Sequence, residues 1–379
     1  MKILYTASVL SHICQFHLPV MEMLQKEGHT VHVAANDNLA EKNGLKLQFA
    51  DAFFCMPFQR SPKDKRNLKA YKELKLLLEE QKYDLVICNT PVVGVLSRFA
   101  AREARKHGTK VVYIAHGFHF YTGAPKKYWL FYPLEKNLAD HNTDLLITLN
   151  REDYERAEKH FKCPVEHIYG VGVRSERYHP ASSDEKRAMR EREHLPKDSF
   201  VILCTKELMF DNNQKTILHA IAKVKPEIPD LTMLFAGNGP DEQMLKELTN
   251  ELGLTDSVRF LGYRTDLEQL VPTVDLVVSC SWREGMPLNI IEAMLCARPI
   301  VASHNRGHDE LIEDGKTGYL VDKFDIDALA DRIRKIKNDK ATAEAFGLRA
   351  CEKAQKYTAA SVVKQMRDII NTLERSNTK

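Results

Sequence analysis

Long hydrophobic runs are absent from this sequence of 379 residues. No stretch approaches the roughly 18 consecutive apolar residues that predict a transmembrane helix. The apolar run at residues 3–10 is shorter and is preceded by a single charge, so we interpret it as a buried strand rather than a signal peptide. The expected location is the cytoplasm, with peripheral contact at the inner face of the cell membrane as an open alternative.

Paired cysteines and a strong net charge are also lacking. The eight cysteines form no C-x-x-C pair, which argues against a zinc knuckle or a thioredoxin-type site, and most lie inside apolar runs, as free cysteines in a reducing compartment do. The formal net charge of +3 is too small to indicate a nucleic-acid partner. Lysines and arginines are concentrated in residues 60–82, either as a solvated helix face or as a surface attracted to an anionic membrane or acceptor.

Short apolar runs do alternate with longer amphipathic stretches along the chain. The runs are rich in Val, Ile and Leu without strict alternation, which is typical of parallel strands buried on both faces. This repeated β-α-β pattern predicts an α/β protein with doubly wound parallel sheets. It breaks once, in a polar stretch at residues 174–198. We therefore expect two Rossmann-like domains, at 1–175 and 176–355, and a helix within 356–379 that crosses back to the first domain.

The segment with the clearest chemistry is residues 279–294. A buried strand enters a loop with Gly285, where the backbone can approach a ligand closely, and Pro287 suits the first turn of the helix that follows. Unpaired backbone N–H groups at a helix start bind anions or hydroxyls. Glu284 before the helix and Glu292 inside it are carboxylates that can accept hydrogen bonds from the vicinal hydroxyls of a sugar or a ribose.

The spacing of these two glutamates resembles the E-x7-E motif of the retaining family-4 glycosyltransferases. That family has the GT-B architecture, in which two Rossmann-like domains face each other across a cleft. The sequence E-G-M-P-L-N-I-I-E stands at residues 284–292. The resemblance implies that Glu284 contacts the donor sugar and that Glu292 holds the nucleotide ribose. It also implies that sugar hydroxyls and phosphate are bound by the backbone of Gly285, Met286, Pro287 and Leu288.

Two further segments of the second half resemble the same family. G-N-G-P at residues 237–240, which contains Gly239, is similar to its G-x-G-P loop. F-L-G-Y-R-T-D at residues 260–266, which contains Arg264, is similar to a segment near the nucleobase. The resemblance implies that both segments take part in donor binding.

The first half resembles the capsule- and exopolysaccharide-assembly members of the family. In V-Y-I-A-H-G-F-H-F at residues 112–120, the resemblance places His116 beside the reacting sugar. His12 falls in the first predicted strand-to-helix loop, which makes it a candidate on the acceptor side. Tyr121 is a second acceptor-side candidate, in the aromatic and basic segment 118–132. That segment suits a membrane interface, and it equally suits a helix that covers the domain core.

One departure from the family pattern concerns the leaving diphosphate. The family usually has a lysine five residues after an arginine or glutamate in the loop that follows the first strand of the second domain. In this sequence Glu207 occupies the first of these two positions, and Asn212 occupies the second, where the family usually has lysine. An amide supplies hydrogen bonds but no charge, so stabilisation of the leaving group would be weaker. Compensating cations would be Lys206, Lys215, Arg283 or Arg264.

No metal site or other cofactor is expected. His304 and His308 have a spacing found in metal sites, but they lie in a predicted loop without a suitably spaced carboxylate. The family resemblance likewise implies chemistry without a metal.

The resemblance implies a hexosyl- or N-acetylhexosaminyl-transferase that acts with retention of anomeric configuration. The donor would be a nucleoside diphosphate sugar, expected to be UDP-linked. The acceptor would be a hydroxyl of a glycan, expected to be lipid-linked, in capsule or exopolysaccharide synthesis. Two alternatives stay open at this point: a UDP-sugar epimerase, which can share the architecture, and a non-catalytic or impaired sugar-nucleotide-binding protein, which Asn212 would permit.

Overall fold

The computed structural model describes residues 1–41 and 44–377 of the chain. The chain divides into two compact units: unit 1 is Met1–Gly172 together with Ala359–Lys379, and unit 2 is Val173–Thr358. Each unit contains its own sheet and its own cluster of buried hydrophobic side chains.

The sheet of unit 1 has seven strands. They are β1 (Lys2–Val9), β2 (Thr30–Asn36), β3 (Ala52–Cys55), β4 (Leu85–Asn89), β5 (Lys110–Ala115), β6 (Leu145–Thr148) and β7 (Val165–His167). Their order is β3-β2-β1-β4-β5-β6-β7, and every neighbouring pair is parallel. The central strands β1, β4 and β5 are buried over nearly their whole length, as parallel strands covered on both faces are.

Helices alternate with these strands. They are α1 (Leu10–Phe16), α2 (Leu18–Lys26), α3 (Arg66–Gln81), α4 (Pro91–Ala100), α5 (Arg102–Lys106), α6 (Tyr132–Asn142) and α7 (Arg151–His160). Residues 91–106 form two helices, because α4 ends at Ala100 and α5 begins at Arg102. The predicted first strand-to-helix loop was wrong. Since α1 begins directly after β1, His12 lies in the first turn of α1.

A buried ion pair braces the helices of unit 1. The Arg98 guanidinium in α4 is fully buried and donates to both carboxylate oxygens of Glu135 in α6, at 2.6 and 2.9 Å. It also donates from Nε to the Gly94 carbonyl at 2.9 Å and lies 4.1 Å from the centre of the Tyr113 ring. With its donors satisfied by oxygens and its face covered by a ring, the buried charge is compensated.

The sheet of unit 2 has six strands. They are β8 (Phe200–Thr205), β9 (Leu231–Ala236), β10 (Val258–Phe260), β11 (Leu276–Ser279), β12 (Ile300–Ser303) and β13 (Tyr319–Val321). Their order is β10-β9-β8-β11-β12-β13, again with parallel pairs throughout. Both sheets reverse their strand order beside the first strand of the unit, and this switch point is where such sheets bind ligands.

The helices of unit 2 are α8 (Ser183–Arg192), α9 (Gln214–Val224), α10 (Glu242–Glu251), α11 (Leu267–Leu270), α12 (Leu288–Leu295), α13 (Arg306–Leu311), α14 (Ile326–Asn338) and α15 (Lys340–Ala354). Short 3₁₀ turns in the two units lie at Leu39–Glu41, Lys126–Phe131, Phe210–Asn212, Val271–Thr273 and Gln355–Tyr357. The prediction of two doubly wound α/β sheets is confirmed.

The last helix, α16 (Ala359–Asn377), belongs to unit 1. It packs against α2, where Arg367 forms an ion pair with Glu27. The outgoing and returning segments of unit 1 touch at Gly172, which has a φ of +84°, and a Cβ there would lie 2.7 Å from the Cα of Ala359. Only glycine fits this approach. Among the helices of the described residues, none is long and apolar enough to cross a membrane.

Candidate active site

In unit 2, the loop between β11 and α12 carries the first glutamate of the motif. Glu284 is mostly buried, with 17% of its side chain exposed, and it forms an ion pair with Lys206, which is 15% exposed. Lys206 directly follows β8, the strand beside β11 in the sheet. The fold therefore brings together two residues that lie far apart in the sequence, at the carboxyl ends of two adjacent strands.

The ion pair with Lys206 stabilises the ionised form of Glu284. Burial alone raises the pKa of a carboxyl group. In Glu284 the charge and hydrogen bond of the Lys206 ammonium outweigh burial, so that the pKa of Glu284 lies below its ordinary value. The carboxylate is thus ionised at neutral pH and is a strong acceptor for hydroxyl groups.

The loop after Glu284 is clamped by the start of α13. A Cβ atom on Gly307 would lie 2.8 Å from both Glu284 Cβ and Pro287 Cδ, so only glycine permits this contact. Arg306 Nε donates to the Glu284 carbonyl at 3.1 Å. Pro287 lies just before α12 as its N-cap residue, one position earlier than the sequence predicted. The loop is therefore rigidly placed against the open end of α12.

The first turn of α12 offers unsatisfied donors. Its first backbone N–H groups have no partner within the helix. Asn289, in the same turn, is 9% exposed, and neither polar atom of its side chain has a hydrogen-bond partner in the described chain. Buried amides are seldom left unpaired. A polar ligand at this helix start would satisfy both sets of groups.

Other buried polar atoms at this edge of the second sheet are likewise unpaired within the described residues. Thr205 ends β8 and Ser279 ends β11, and neither hydroxyl has a partner. In α13, Nδ1 of His308 is 2.7 Å from the Ser303 carbonyl, while its Nε2 is unpaired. Burial lowers the pKa of His308 to about 4, so the ring is neutral and Nε2 can accept a hydrogen bond when Nδ1 carries the proton.

The second glutamate of the motif has a different electrostatic state. Glu292 in α12 is partly buried and lies close to Tyr178, which influences its pKa. Burial raises the pKa of Glu292 to about 7, against the opposing effects of Tyr178 and of the charges on Lys206 and Arg177. At neutral pH this carboxyl group is therefore poised between its neutral and ionised forms.

Asn212 lies in the loop where the family pattern has a lysine, and its side chain braces that loop. Its Nδ2 donates to the Glu207 carbonyl at 2.8 Å, and its Oδ1 accepts from Ser281 Oγ at 3.2 Å. The second bond ties the loop after β8 to the loop after β11. Among the four compensating cations predicted from sequence, Lys206 is the one that contacts Glu284.

The structure gives Gly239 and Arg264 bracing roles. A Cβ atom on Gly239 would lie 2.1 Å from the Leu208 carbonyl oxygen, so this glycine permits two loops to touch. The Arg264 guanidinium bonds both oxygens of Glu193, at 2.7 and 2.9 Å, and Asp266 Oδ1 at 2.8 Å. Because two carboxylates already balance its charge, Arg264 is not a free cation for a leaving group.

In unit 1, the carboxyl edge of the sheet holds histidines instead of charged pairs. Nε2 of His12 in α1 is 3.2 Å from Nε2 of His116, which follows β5. The His116 nitrogen is also 3.4 Å from Asn89 Oδ1, at the end of β4. Burial lowers the pKa of His116 to about 4 and that of His12 well below its usual value, with further contributions from His116 and His17. These rings are neutral at pH 7.

Thr90, between β4 and α4, has an unusual backbone. Its φ of +62° with ψ of 146° is rarely adopted by a β-branched residue. Its hydroxyl bonds Ser8 Oγ at 2.8 Å and the Asn89 carbonyl at 2.6 Å, and these bonds hold the strained turn. Such strain is concentrated at functional sites, and Thr90 lies beside the histidines at the same edge.

A cavity of ≈540 Å³ opens next to these residues in unit 1. Its polar lining includes His12, Thr90 and Arg60. Its apolar lining comprises Val9, Pro62, Pro91, Val92, Val95, Leu96, Phe118, Phe120, Phe131 and Leu134. Tyr121, the second acceptor-side candidate, is partly buried and is not part of the lining. The volume is that of a small-molecule site, and the lining favours an apolar group with a polar end.

The aromatic segment 118–132 divides into two parts. Phe118 and Phe120 are buried and stack with their ring centres 4.7 Å apart, which fits the role of covering the core. Trp129, Leu130 and Phe131 are instead 37%, 78% and 45% exposed. Large apolar side chains exposed side by side indicate a surface that binds another molecule.

Several of these residues were not identified from the sequence. Tyr178 follows no motif, and Thr90 is recognisable only from its backbone angles. His308 was considered as a metal ligand alone. The one available signal was its position directly after a glycine at a predicted strand-to-helix connection.

The chain matches two families of known proteins. Residues 2–150 match the family "Glycosyl transferase 4-like" and residues 185–353 match "Glycosyl transferases group 1". It is 41% identical over 382 aligned positions to the "Putative glycosyltransferase EpsD" of Bacillus subtilis, covering 100% of this chain and 98% of that protein.

More distant relatives are glycosyltransferases as well. The Escherichia coli UDP-Gal:alpha-D-GlcNAc-diphosphoundecaprenol alpha-1,3-galactosyltransferase is 28% identical, over 88% of this chain and 86% of that protein. Among solved structures, Anabaena Alr3699/HepE in complex with UDP superposes with a TM-score of 0.81 at 22% identity, over 98% of this chain and 100% of that one. WaaG superposes with a TM-score of 0.78 at 16% identity, over 97% and 99%. The chain therefore belongs to the family-4 glycosyltransferases of GT-B fold.

Proposed function

We propose that the protein transfers a hexose or an N-acetylhexosamine from a UDP-sugar to a hydroxyl of a lipid-linked glycan, with retention of configuration, in capsule or exopolysaccharide synthesis. The observation that carries this proposal is the ion pair of Glu284 and Lys206 beside the open start of α12. A carboxylate, a cation and the unpaired N–H groups of a helix start match the hydroxyls and phosphates of a sugar nucleotide.

On the donor side, Glu284 accepts hydrogen bonds from the sugar hydroxyls, and the backbone N–H groups of Gly285, Met286 and Leu288 donate to the phosphates. Glu292 accepts from the ribose hydroxyls, and Tyr178 lies close to its carboxylate. The UDP-bound state of the structural neighbour and the UDP-Gal in the name of the Escherichia coli relative support uridine as the nucleotide.

During transfer, the bond between the anomeric carbon and the diphosphate oxygen breaks as the acceptor oxygen bonds to the same face of that carbon. The acceptor proton passes to the departing diphosphate, so that atoms and charges balance. Negative charge grows on the diphosphate, and Lys206 stabilises it. Lys206 is paired with Glu284 before the donor binds. When the donor binds, a sugar hydroxyl contacts Glu284 and a phosphate contacts Lys206, so that both members of the pair bind the donor.

In this scheme, position 212 does not need a positively charged side chain, and Asn212 has a different role. Its amide links the loops after β8 and β11, and thereby fixes the positions of Lys206 and Glu284. We further propose that transfer needs no resident metal or other cofactor, because a lysine and a helix start together can supply the positive field.

On the acceptor side, the unit 1 cavity supports an acceptor with an apolar portion. Its wall is mainly aliphatic and aromatic, and the exposed residues Trp129 to Phe131 continue the apolar surface. The printed name of the Escherichia coli relative includes a diphosphoundecaprenol acceptor. We assign His12 and Tyr121 to the acceptor, and His116 to the donor sugar as the family resemblance implies. Peripheral membrane contact through unit 1, on the cytoplasmic side, follows from such an acceptor.

The test is a donor and acceptor screen with the purified protein. UDP and GDP sugars are supplied with a polyprenyl-diphosphate glycan, and release of nucleoside diphosphate and glycan elongation are measured. We expect turnover with a UDP-sugar on the lipid-linked glycan, and at least a hundredfold loss in Glu284→Gln. If no sugar nucleotide is consumed or bound at millimolar concentration, the proposal is wrong. Release of an epimerised free UDP-sugar would show an epimerase instead.

A further inference from the structure

Three histidines of unit 1 form a compact cluster. His12 and His17 belong to α1 and its C-terminal end, and His116 follows β5. Their ligand nitrogens all lie within 4.8 Å of one another. The centre of the His12 ring is 4.4 Å from that of His116, and the centre of the His17 ring is 5.4 Å from each of the others. Because the three nitrogens lie so close together, the space between the rings is a candidate ligand site.

His17 provides an independent indication that this space accepts a ligand. It is only 3% exposed, and its Nε2 has no hydrogen-bond partner within the described part of the chain. Leaving such a buried group without a partner is energetically unfavourable. A bound ion would satisfy it, and a neutral imidazole is the form of histidine that binds metals.

We propose that His12, His17 and His116 form a binding site for a borderline transition-metal ion such as Zn²⁺ or Co²⁺. Two nitrogens on one tetrahedral zinc ion, each about 2.0–2.1 Å from the metal, are about 3.3 Å apart. The 3.2 Å between the Nε2 atoms of His12 and His116 matches that separation. The ligand nitrogen of His17 lies within 4.8 Å of those of His12 and His116, so the His17 side chain would move toward them to supply the third ligand.

Occupation of this site has a functional consequence, which rests on the proposed function. His12 lines the cavity that we assign to the acceptor, and His116 is assigned to the donor sugar. An ion that ligates both removes them from these roles, so the ion inhibits transfer reversibly. Arg60, whose positive charge contributes to lowering the pKa of His12, opposes a cation, and we therefore expect micromolar rather than tighter binding.

The competing occupant is a water molecule. Tyr5 and His17 line a second void of ≈10 Å³, and the Tyr5 hydroxyl is also unpaired within the described residues. A void of this size holds about one water, which would satisfy both groups without an ion.

Cobalt binding to the full chain distinguishes the two occupants without donor or acceptor. Metal-free protein is titrated with Co²⁺, and the bound ion is measured by equilibrium dialysis and visible absorption. We expect one ion per chain with the intense d–d bands of a tetrahedral nitrogen site, and at least tenfold weaker binding in His17→Phe. His304→Phe is the matched control, because His304 is an exposed histidine of unit 2, and its variant should bind Co²⁺ as the native chain does.

Absence of stoichiometric binding, or equal loss in the two variants, overturns the proposal. If His17→Phe is poorly folded by circular dichroism, His12→Gln replaces it in the same titration, and unchanged cobalt affinity there is equally decisive against the site. In a second arm, micromolar Zn²⁺ should inhibit transfer in the native chain at least tenfold more strongly than in His17→Phe. A protein that binds cobalt as predicted but transfers no sugar would contradict the proposed function alone.

Discussion

The carboxyl edges of the two sheets have the same topology and different chemistry. In unit 2 this edge holds the ion pair of Glu284 and Lys206 together with Glu292. In unit 1 it holds neutral imidazoles, the strained Thr90 and a mainly apolar cavity. Such a switch point offers a place for a ligand, and the side chains decide which ligand it is. From this contrast we propose that the charged nucleotide binds unit 2 and that the apolar part of the acceptor binds unit 1.

The comparison predicts that the buried ion pair of Arg98 and Glu135 in unit 1 is important for stability. Glu135→Ala leaves the buried Arg98 guanidinium unpaired, and we expect a loss of about 3–5 kcal/mol in the free energy of unfolding. Urea unfolding of the full chain measures it. Glu103→Ala is the control, because its pair with Lys106 is exposed, and it should change stability by less than about 0.5 kcal/mol. An equally small effect of both variants would contradict the buried brace.

In unit 2, by contrast, the charge pair should serve catalysis. Glu284→Gln removes the anionic acceptor for the sugar and leaves Lys206 without its partner, and we expect kcat to fall about 10²–10³-fold. Steady-state kinetics with the best donor checks this. Glu313→Gln is the matched control, since Glu313 pairs with Lys353 at a half-exposed position, and its kinetics should match the native chain. Retention of native turnover in Glu284→Gln would remove the central residue of the account.

Glu292 should make donor affinity depend on pH. Its pKa of about 7 means that the ionised acceptor form is complete only above neutral pH. Affinity for UDP-glucose, whose diphosphate does not titrate in this range, should therefore rise as pH increases from 6 to 8. Glu292→Gln should weaken binding about tenfold at pH 8, equal to about 1.4 kcal/mol, and should abolish the pH dependence. Calorimetry at several pH values measures both, and a pH-independent native affinity would contradict the assignment.

The same carboxyl group links pH to stability with the opposite sign. Its pKa is raised in the folded chain from 4.5 to about 7, so the stabilisation is complete below the unfolded value and is lost as pH rises through 7. In the absence of donor, Glu292→Gln should therefore be more stable than the native chain at pH 8, with a Tm higher by about 2–4 °C for each kcal/mol. A lower Tm of the variant at pH 8 would contradict this balance.

The smallest effect is expected for Asn212→Lys. If Lys206 already supplies the charge, a second lysine adds little, and the loss of the bonds to Glu207 and Ser281 partly offsets any gain. We expect kcat to change by less than about threefold, or about 0.7 kcal/mol in barrier height. A large gain in turnover would show instead that the native chain is an impaired enzyme that lacks its cation.

Much of the fold was predictable because buried parallel strands have a clear signature in sequence. The Val- and Ile-rich runs indicated the buried strands of both units, whereas β7 gave no such signal because it is a three-residue edge strand of V-E-H without an apolar run. The pairing of Lys206 with Glu284 could not be predicted, because it depends on the adjacency of β8 and β11 and on no sequence spacing. The cluster of His12, His17 and His116 could not be predicted either, because it depends on which elements are adjacent in the fold and not on sequence spacing.

The positions of local breaks were the least predictable feature. Nothing in the polar character of His12 shows that α1 begins without an intervening loop, and Ala101 at the junction of α4 and α5 is a strong helix former. The motif of residues 284–292 is easier to recognise in the sequence than these breaks, because it lies within one strand–loop–helix unit. That unit is specified locally by Gly285 and Pro287.

Hydrogen–deuterium exchange with and without UDP tests the central claim most directly, because it locates the nucleotide on the chain. The account predicts that UDP slows exchange in unit 2, at residues 204–208 and 280–295, and that this protection is lost in a chain with both Glu284→Gln and Glu292→Gln. Protection confined to unit 1, or protection of unit 2 that is unchanged in the double variant, would contradict it.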